Sequence, residues 1–394
     1  MNLKSNIKKD YLYLFLSTAG LSNALWVLYL AYKGMSLVEI GLLESVFHIT
    51  AFVMELPTGI VADYFGRKTS RIAGRILACI STLMMIGATG FYGFAMAFVV
   101  QALSYNLESG AGDALIYDTL LTLKEEKDYM KIKGRQEWSY QAASIFSMLV
   151  GGYVATFSYE LAYLITLGIN ILAILQSFTF VEPSIHEDKD KEKKSSSLKL
   201  HMKESISAVR DNKQILTYVF FIEGFSVLYT TVYFYIQNFF KAGGHSEFWI
   251  GTLIATASLA SLLTSTLAYK IEKHLGPKKL IYYAGSLSLV CFGIIAFTAL
   301  DPLAFVGLAM MESMLFVVFS DYINQLIPSA TRATLLSFKA MIFSIMMIIL
   351  FPIIGWVGDT FGFDAAFQTV FCTAVPVILY TGYKLHQQLH NQRF

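Results

Sequence analysis

The sequence predicts an all-α membrane protein of twelve transmembrane helices, arranged as two pseudo-symmetric six-helix halves. Three observations carry that prediction. Hydrophobic residues make up 55% of the 394 and charged residues only 15%, where soluble domains hold about 25% charge. Apolar runs long enough to cross a bilayer recur along the whole chain. One strongly polar stretch, 182–213, divides them into two equal sets. Lipid offers no partner to a free N–H or C=O, so the spans must be helices, and the alternation of a barrel strand is absent.

In chain order the spans fall at about 11–32, 37–62, 70–90, 92–119, 137–157 and 160–181, then 214–240, 246–270, 278–299, 301–325, 332–357 and 363–385. The first run is longer than a signal-peptide core and no small-residue cleavage site follows, so it reads as a retained span. Lys4, Lys8, Lys9, Arg67, Lys68, Arg71, the cluster from Lys124 to Arg135, the 182–213 segment, Lys270 to Lys279, Arg332 and Lys384 all fall on one side. The opposite loops hold Lys33 and Lys241. The positive-inside rule then places both termini in the cytosol and the protein in the cytoplasmic (inner) membrane of a cell. Cys79, Cys291 and Cys372 lie far apart inside spans, which suggests neither a disulfide framework nor a metal site.

Within 182–213, Leu198, Met202, Ile206 and Val209 recur at helical spacing among Lys199, Lys203, Glu204 and Arg210. This predicts a linker containing an amphipathic helix on the membrane surface, joining halves 1–181 and 214–394. The halves echo each other at an offset of 210 residues: Ile40-Gly41 with Ile250-Gly251, and Gly66-Arg67-Lys68 with Gly276-Pro277-Lys278. That register argues for duplication. Lys273 stands in the second copy where Asp63 stands in the first.

Between the second and third spans lies Gly59-Ile-Val-Ala-Asp63-Tyr-Phe-Gly66-Arg67-Lys68, a G-x-x-x-D-x-x-G-R-K string. Gly59 and Gly66 permit close helix approach and a sharp turn. Asp63 can accept from backbone N–H groups or pair with Arg67, whose guanidinium suits a bidentate carboxylate pair. In sequence and position this loop resembles the signature loop of the major facilitator superfamily of transporters. The resemblance implies that Asp63, Arg67 and Lys68 form a cytosolic gate that latches the two halves. Asp118, at the same level on the fourth span, is expected to pair with Arg67.

Ionisable residues inside spans are costly and mark functional candidates. Here they are mostly acidic, Glu44, Glu55, Glu108, Asp113, Glu223, Glu312 and Asp321, with Arg75 and Lys339 near inner ends. An acidic interior suits protons or a cationic substrate and argues against polyanions. In the family the first, fourth, seventh and tenth spans line the central cavity. By that resemblance Asn23, Glu108, Asp113, Glu223, Glu312 and, nearer the cytosol, Asp321 become substrate- or proton-binding candidates. Glu223, alone in Phe-Phe-Ile-Glu-Gly-Phe, is placed as a proton carrier or as a carboxylate hydrogen-bonded to a neighbouring helix. At about 100° per residue Glu44, His48 and Glu55 share one face of the second span. They form either a proton relay or a set of interhelical contacts. Trp26, Tyr29, Tyr229 and Tyr233 would give the cavity spans an aromatic wall, suited to a lipophilic cation.

The fourth span lacks the arginine, and the fifth the Gly-Pro motif, that the family's drug–proton antiporters carry; the fifth keeps Gly151-Gly152. No phosphate-binding G-x-x-x-x-G-K-[ST] or zinc-binding H-E-x-x-H is present, so neither ATP-driven transport nor an enzyme is expected. The reading is a bacterial-type secondary transporter with alternating access, exporting a lipophilic or cationic small molecule by proton coupling. The alternatives are a proton-coupled importer of a small nutrient or cation, and a non-transporting sensor on the same scaffold. Its partners are the small molecule, protons and the lipid bilayer, with no nucleic acid, cofactor or metal, and the family resemblance implies a monomer.

Overall fold

The computed structural model describes residues 3–183, 213–298, 301–326 and 332–391. Among them the first half runs through α1 (Ser5–Thr18), α2 (Trp26–Tyr32), α3 (Leu37–Phe65), α4 (Arg67–Gly87), α5 (Gly90–Leu123), α6 (Tyr129–Ala155) and α7 (Tyr159–Phe178). The second runs through α8 (Lys213–Ala242), α9 (Glu247–Phe297), α10 (Asp301–Leu326), α11 (Arg332–Phe361) and α12 (Phe363–Asn391). α9 is two helices that meet at Gly276, where φ is 73° and ψ 159°. With α1 and α2 counted as one broken span and α9 as two, the chain has twelve spans, as the sequence predicts. Among the described residues eight helices, α9 taken whole, are long and apolar enough by themselves to cross a membrane. The amphipathic helix expected around 198–209 lies outside the described residues.

The first span departs from expectation because it is broken over residues 19–25. Within a bilayer a break must find partners for its freed backbone groups. Here they come from neighbouring helices: Ser22 N–H donates to Thr166 Oγ1 on α7 at 2.9 Å, and Ser147 Oγ on α6 donates to the Gly20 carbonyl at 2.6 Å.

Two compact units result, Met1–Lys189 with Phe240–Ala255, and Asp190–Phe239 with Thr256–Phe394. The duplication suggested by the 210-residue offset is written in backbone geometry as well. Gly34 and Gly244 both have φ of 87°, and Gly66 and Gly276 have φ of 94° and 73°. Met35 N–H donates to the Leu30 carbonyl and His245 N–H to the Phe240 carbonyl, both at 3.0 Å. Ser36 and Ser246 then cap the following helices, accepting from Glu39 N–H at 3.3 Å and Trp249 N–H at 3.2 Å.

The first unit is organised round a buried ion pair. Arg71 Nη1 of α4 meets Asp10 Oδ1 of α1 at 2.6 Å, with both side chains 2% exposed. Gln136 Nε2 of α6 donates to the other Asp10 oxygen at 2.5 Å. The guanidinium lies 4.0 Å above the Tyr13 ring and 4.8 Å from the Phe180 ring, a cation–π arrangement inside the fold. Three helices are therefore fastened at one point by charge.

Removing one partner of such a pair strands the other, at a cost of about 3–5 kcal/mol, whereas removing both costs far less. Arg71→Met is accordingly expected to lower the thermal midpoint in detergent sharply, and Asp10→Asn combined with Arg71→Met to recover most of the loss. Additive losses in the double variant would contradict the pairing. At the turn between α3 and α4 a side chain on Gly66 would be strained by the positive φ and would stand 3.0 Å from the Glu182 carboxylate. Gly66→Val is expected to reduce folded yield, measured by size-exclusion chromatography of the extracted protein, while Gly59→Ala, where a Cβ meets open space, is not.

Candidate functional site

The signature loop forms a charged knot at the α3–α4 turn. Arg67 Nη1, at the start of α4, pairs across the turn with Asp63 Oδ1 on α3 at 2.7 Å, four residues earlier in the chain. Its Nε lies 3.8 Å from Asp118 Oδ2, so the expected partner from α5 is present at ion-pair distance, without a hydrogen bond from that nitrogen. Gly59 sits on the last turns of α3, and Lys68 follows in the first turn of α4. The residue that sequence reasoning missed is Glu182. Its carboxylate accepts from the backbone N–H groups of Arg67 at 2.7 Å and Lys68 at 2.8 Å, capping α4 where the helix dipole favours a negative charge. The acid opens the polar stretch after the sixth span, and no local spacing ties it to a loop 115 residues upstream.

Of the cavity candidates in the first unit, Glu108 is the most enclosed. One oxygen takes Arg75 of α4, and the other accepts from Tyr13 Oη of α1 at 2.7 Å. Arg75 also reaches Asn170 Oδ1 of α7 at 3.2 Å. The interior guanidinium missing from the fourth span is thus supplied by the third. Asp113 pairs with Lys133 of α6 at 2.6 Å on an exposed surface. Asn23 is exposed in the break between α1 and α2, its amide donating to the Thr18 carbonyl at 3.1 Å. Glu44 and His48 lie 3.5 Å apart on α3, with His48 buried, while Glu55 two turns further is exposed. Outside the spans, the Glu160 carboxylate that accepts from Lys33 at 2.8 Å holds that ammonium above its ordinary range.

The second unit brings Glu223 and Glu312 together. Glu223 on α8 is 6% exposed and stands 3.4 Å from the ammonium of Lys339 on α11, itself 8% exposed. That ammonium lies 5.1 Å from the Phe316 ring of α10. One turn along α8, Ser226 Oγ donates to Glu312 Oε1 of α10 at 3.1 Å. Glu223 and Ser226 lie three residues apart on α8, which brings the two carboxylates to the same level of the unit, and Tyr229 follows Ser226 by three more residues. Tyr229 stacks on Phe305 with centroids 6.4 Å apart, and Tyr233 tilts against the same ring at 6.2 Å. Aromatic surface therefore lies one turn along α8 from Ser226, beside the buried Glu223 and the half-buried Glu312, and among the described residues Lys339 is the ammonium at ion-pair distance from either acid. Asp321, one of the sequence candidates, stands apart from it, exposed and accepting from Gln325 at 2.7 Å. Lys339 stands out in the sequence as a rare basic residue within a span, but Ser226 carries no comparable signal.

Known proteins give this geometry a setting. A family model described as Major Facilitator Superfamily matches residues 11–320. The chain is 25% identical over 375 residues to the uncharacterized MFS-type transporter YxaM of Bacillus subtilis (strain 168), covering 92% of this chain and 91% of that protein. Among solved structures it superposes on a mutant form of the nucleoside transporter NupG with a TM-score of 0.80 at 15% identity, over 96% of this chain and 99% of the other. A D-xylose-proton symporter gives 0.71 at 15% identity over 95% of each chain. A bacterial homologue of the human lysosomal transporter Spinster gives 0.76 at 13% identity over 98% and 97%. At such identities the solved structures speak for the fold, and the family match for more: this chain, a multi-pass integral membrane protein, belongs to the major facilitator superfamily of transporters.

Proposed function

We propose that this transporter exchanges protons for a lipophilic organic cation, exporting the cation by alternating access, with Glu312 as the exchanging group. The observation that carries the reading is how three enclosed carboxylates are partnered, Glu223 buried and Glu108 and Glu312 half-buried. Glu108 has a guanidinium and a phenol, and Glu223 has an ammonium, whereas the partner seen for Glu312 is the neutral hydroxyl of Ser226. A carboxylate away from water calls for one positive charge, and either a proton or a cation supplies it. Both cannot be held at once, so the two ligands compete. Competition for one group couples their movements in opposite directions, and an inward proton gradient then drives the cation out. Tyr229, Tyr233 and Phe305 supply the faces that a lipophilic cation prefers.

In this reading residues 1–181 and 214–394 are the moving halves, joined through the 182–213 linker. Asp63, Arg67, Lys68 and Asp118 form the cytosolic latch, and the protein acts as a monomer with both termini in the cytosol. The Lys and Arg bias supports that orientation. Glu108 takes a structural place, since its charge is compensated by Arg75 within its own unit. Glu44 and His48 pair with each other within α3 while Glu55 stands exposed two turns beyond them, which favours a structural place over a relay.

Proteoliposomes with an acid interior are expected to accumulate tetraphenylphosphonium while releasing protons, relative to protein-free vesicles. Glu312→Gln should cut that exchange by about tenfold or more. Cation movement with no linked proton movement would refute exchange. Glu108→Gln separates the two units: it should lower the thermal midpoint, because Arg75 loses its ion-pair partner, yet leave the ratio of protons to cation unchanged. A changed ratio would move the coupling site into the first unit.

A further inference from the structure

We infer that Lys339 is a valence filter: by reserving Glu223 as its own counter-ion, it leaves Glu312 as the single exchanging carboxylate and restricts the cargo to monovalent cations. The inference rests on the exchange reading above and deepens it.

In an enclosed site the charges of the side chains and the cargo must balance. Glu223 and Ser226, the residue that holds Glu312, stand one helical turn apart on α8, and a dication with two charged ends would suit both carboxylates. One ammonium is already there. Lys339 reaches Glu223 from α11, 3.4 Å away, and lies 5.1 Å from the Phe316 ring, while among the described residues no ion pair joins it to Glu312. Lysine carries a point charge on a flexible stem, so the ring and the carboxylate together hold it to one partner. With Glu223 and Lys339 summing to zero, the charge available for exchange is that of Glu312. A bound monocation replaces one proton, and the cycle is electroneutral. A dication would leave one positive charge uncompensated in a buried site, which excludes it.

Removing the ammonium changes the count. In Lys339→Gln, Glu223 becomes a second exchangeable carboxylate, and a dication can then replace two protons. Removing both charges restores a single carboxylate. These expectations differ from those of a lysine that merely packs α11 against α8, because a packing defect lowers activity toward every cargo and creates none.

The experiment compares tetraphenylphosphonium, a monocation, with methyl viologen, a dication, in proteoliposomes under an imposed pH gradient. Wild type is expected to exchange the first and not the second. Lys339→Gln should gain methyl viologen exchange by about tenfold or more over wild type. Glu223→Gln combined with Lys339→Gln should lose it again while keeping tetraphenylphosphonium, and Lys339→Arg should keep the wild-type selectivity. Methyl viologen exchange by wild type, or its absence in a folded Lys339→Gln that still moves tetraphenylphosphonium, would overturn the inference and leave the exchange reading standing. Failure of wild type to exchange tetraphenylphosphonium would overturn both. Thermal midpoints without cargo give a second check, since Glu223 and Lys339 should show strong coupling in a double-variant cycle and Glu312 and Lys339 little. The reverse pattern would assign Lys339 to Glu312 and refute the filter.

Discussion

A charge held away from water has to be balanced where it stands, and the helix arrangement in both units follows from how that is done. In the first unit two enclosed acids each have a guanidinium. Asp10 takes Arg71 and Glu108 takes Arg75, so α1, α4 and α5 are joined by two acid–guanidinium pairs, with Tyr13 between them. Gln136 and Asn170 bring in α6 and α7. Such pairs contribute little net stability compared with well-packed apolar side chains, but they allow few alternatives, because a slipped helix would leave a buried ion alone. The unit is therefore built to hold one arrangement.

The second unit carries the same repeated turns but a different electrostatic solution. Gly244 and Gly276 reproduce the backbone of Gly34 and Gly66, and Ser246 caps its helix as Ser36 does. What has not been kept is the charge. Pro277 and Lys273 replace Arg67 and Asp63, so the second copy of the loop retains its bend without its knot. Among the described residues of this unit the buried Glu223 of α8 pairs with Lys339 of α11, while the half-buried Glu312 of α10 is held by Ser226. Geometry, which glycine and capping serine specify locally, survived duplication, while charge pairing, which depends on several helices at once, diverged.

The same distinction explains what the sequence disclosed. Span positions and the Gly276 break follow from apolar run length and from residues that act on their own backbone, and these are readable. The Asp63–Arg67 pair is readable too, being four residues apart on one turn. Arg71 is not: by charge bias alone it belongs with the solvated residues flanking the third span, yet it is 2% exposed and bound to Asp10, 61 residues away. Nothing local marks Asp10, which lies before the first predicted span. Glu108 likewise reads as a free acid because its partners are on α1 and α4. The break at residues 19–25 is hidden for a related reason, since Ser147 and Thr166 make it tolerable from two other helices. Helix rotation decides which side chains meet, and one sequence states that only weakly.

The contrast between the units also bears on how a carrier of this kind can move. A binding site must change its occupant at each turn of the cycle, so it needs a charge whose partner is replaceable. A rigid body must not change, so its charges need fixed partners. Arg75 cannot leave Glu108 without exposing both to an apolar interior, and the same holds for Arg71 and Asp10. Ser226 can give up the Glu312 carboxylate at the cost of one hydrogen bond from a neutral hydroxyl, roughly 1.5–3 kcal/mol net, with no second ion left stranded. That difference in what it costs to exchange partners, more than depth in the membrane, separates a carboxylate that can carry cargo from one that holds helices together.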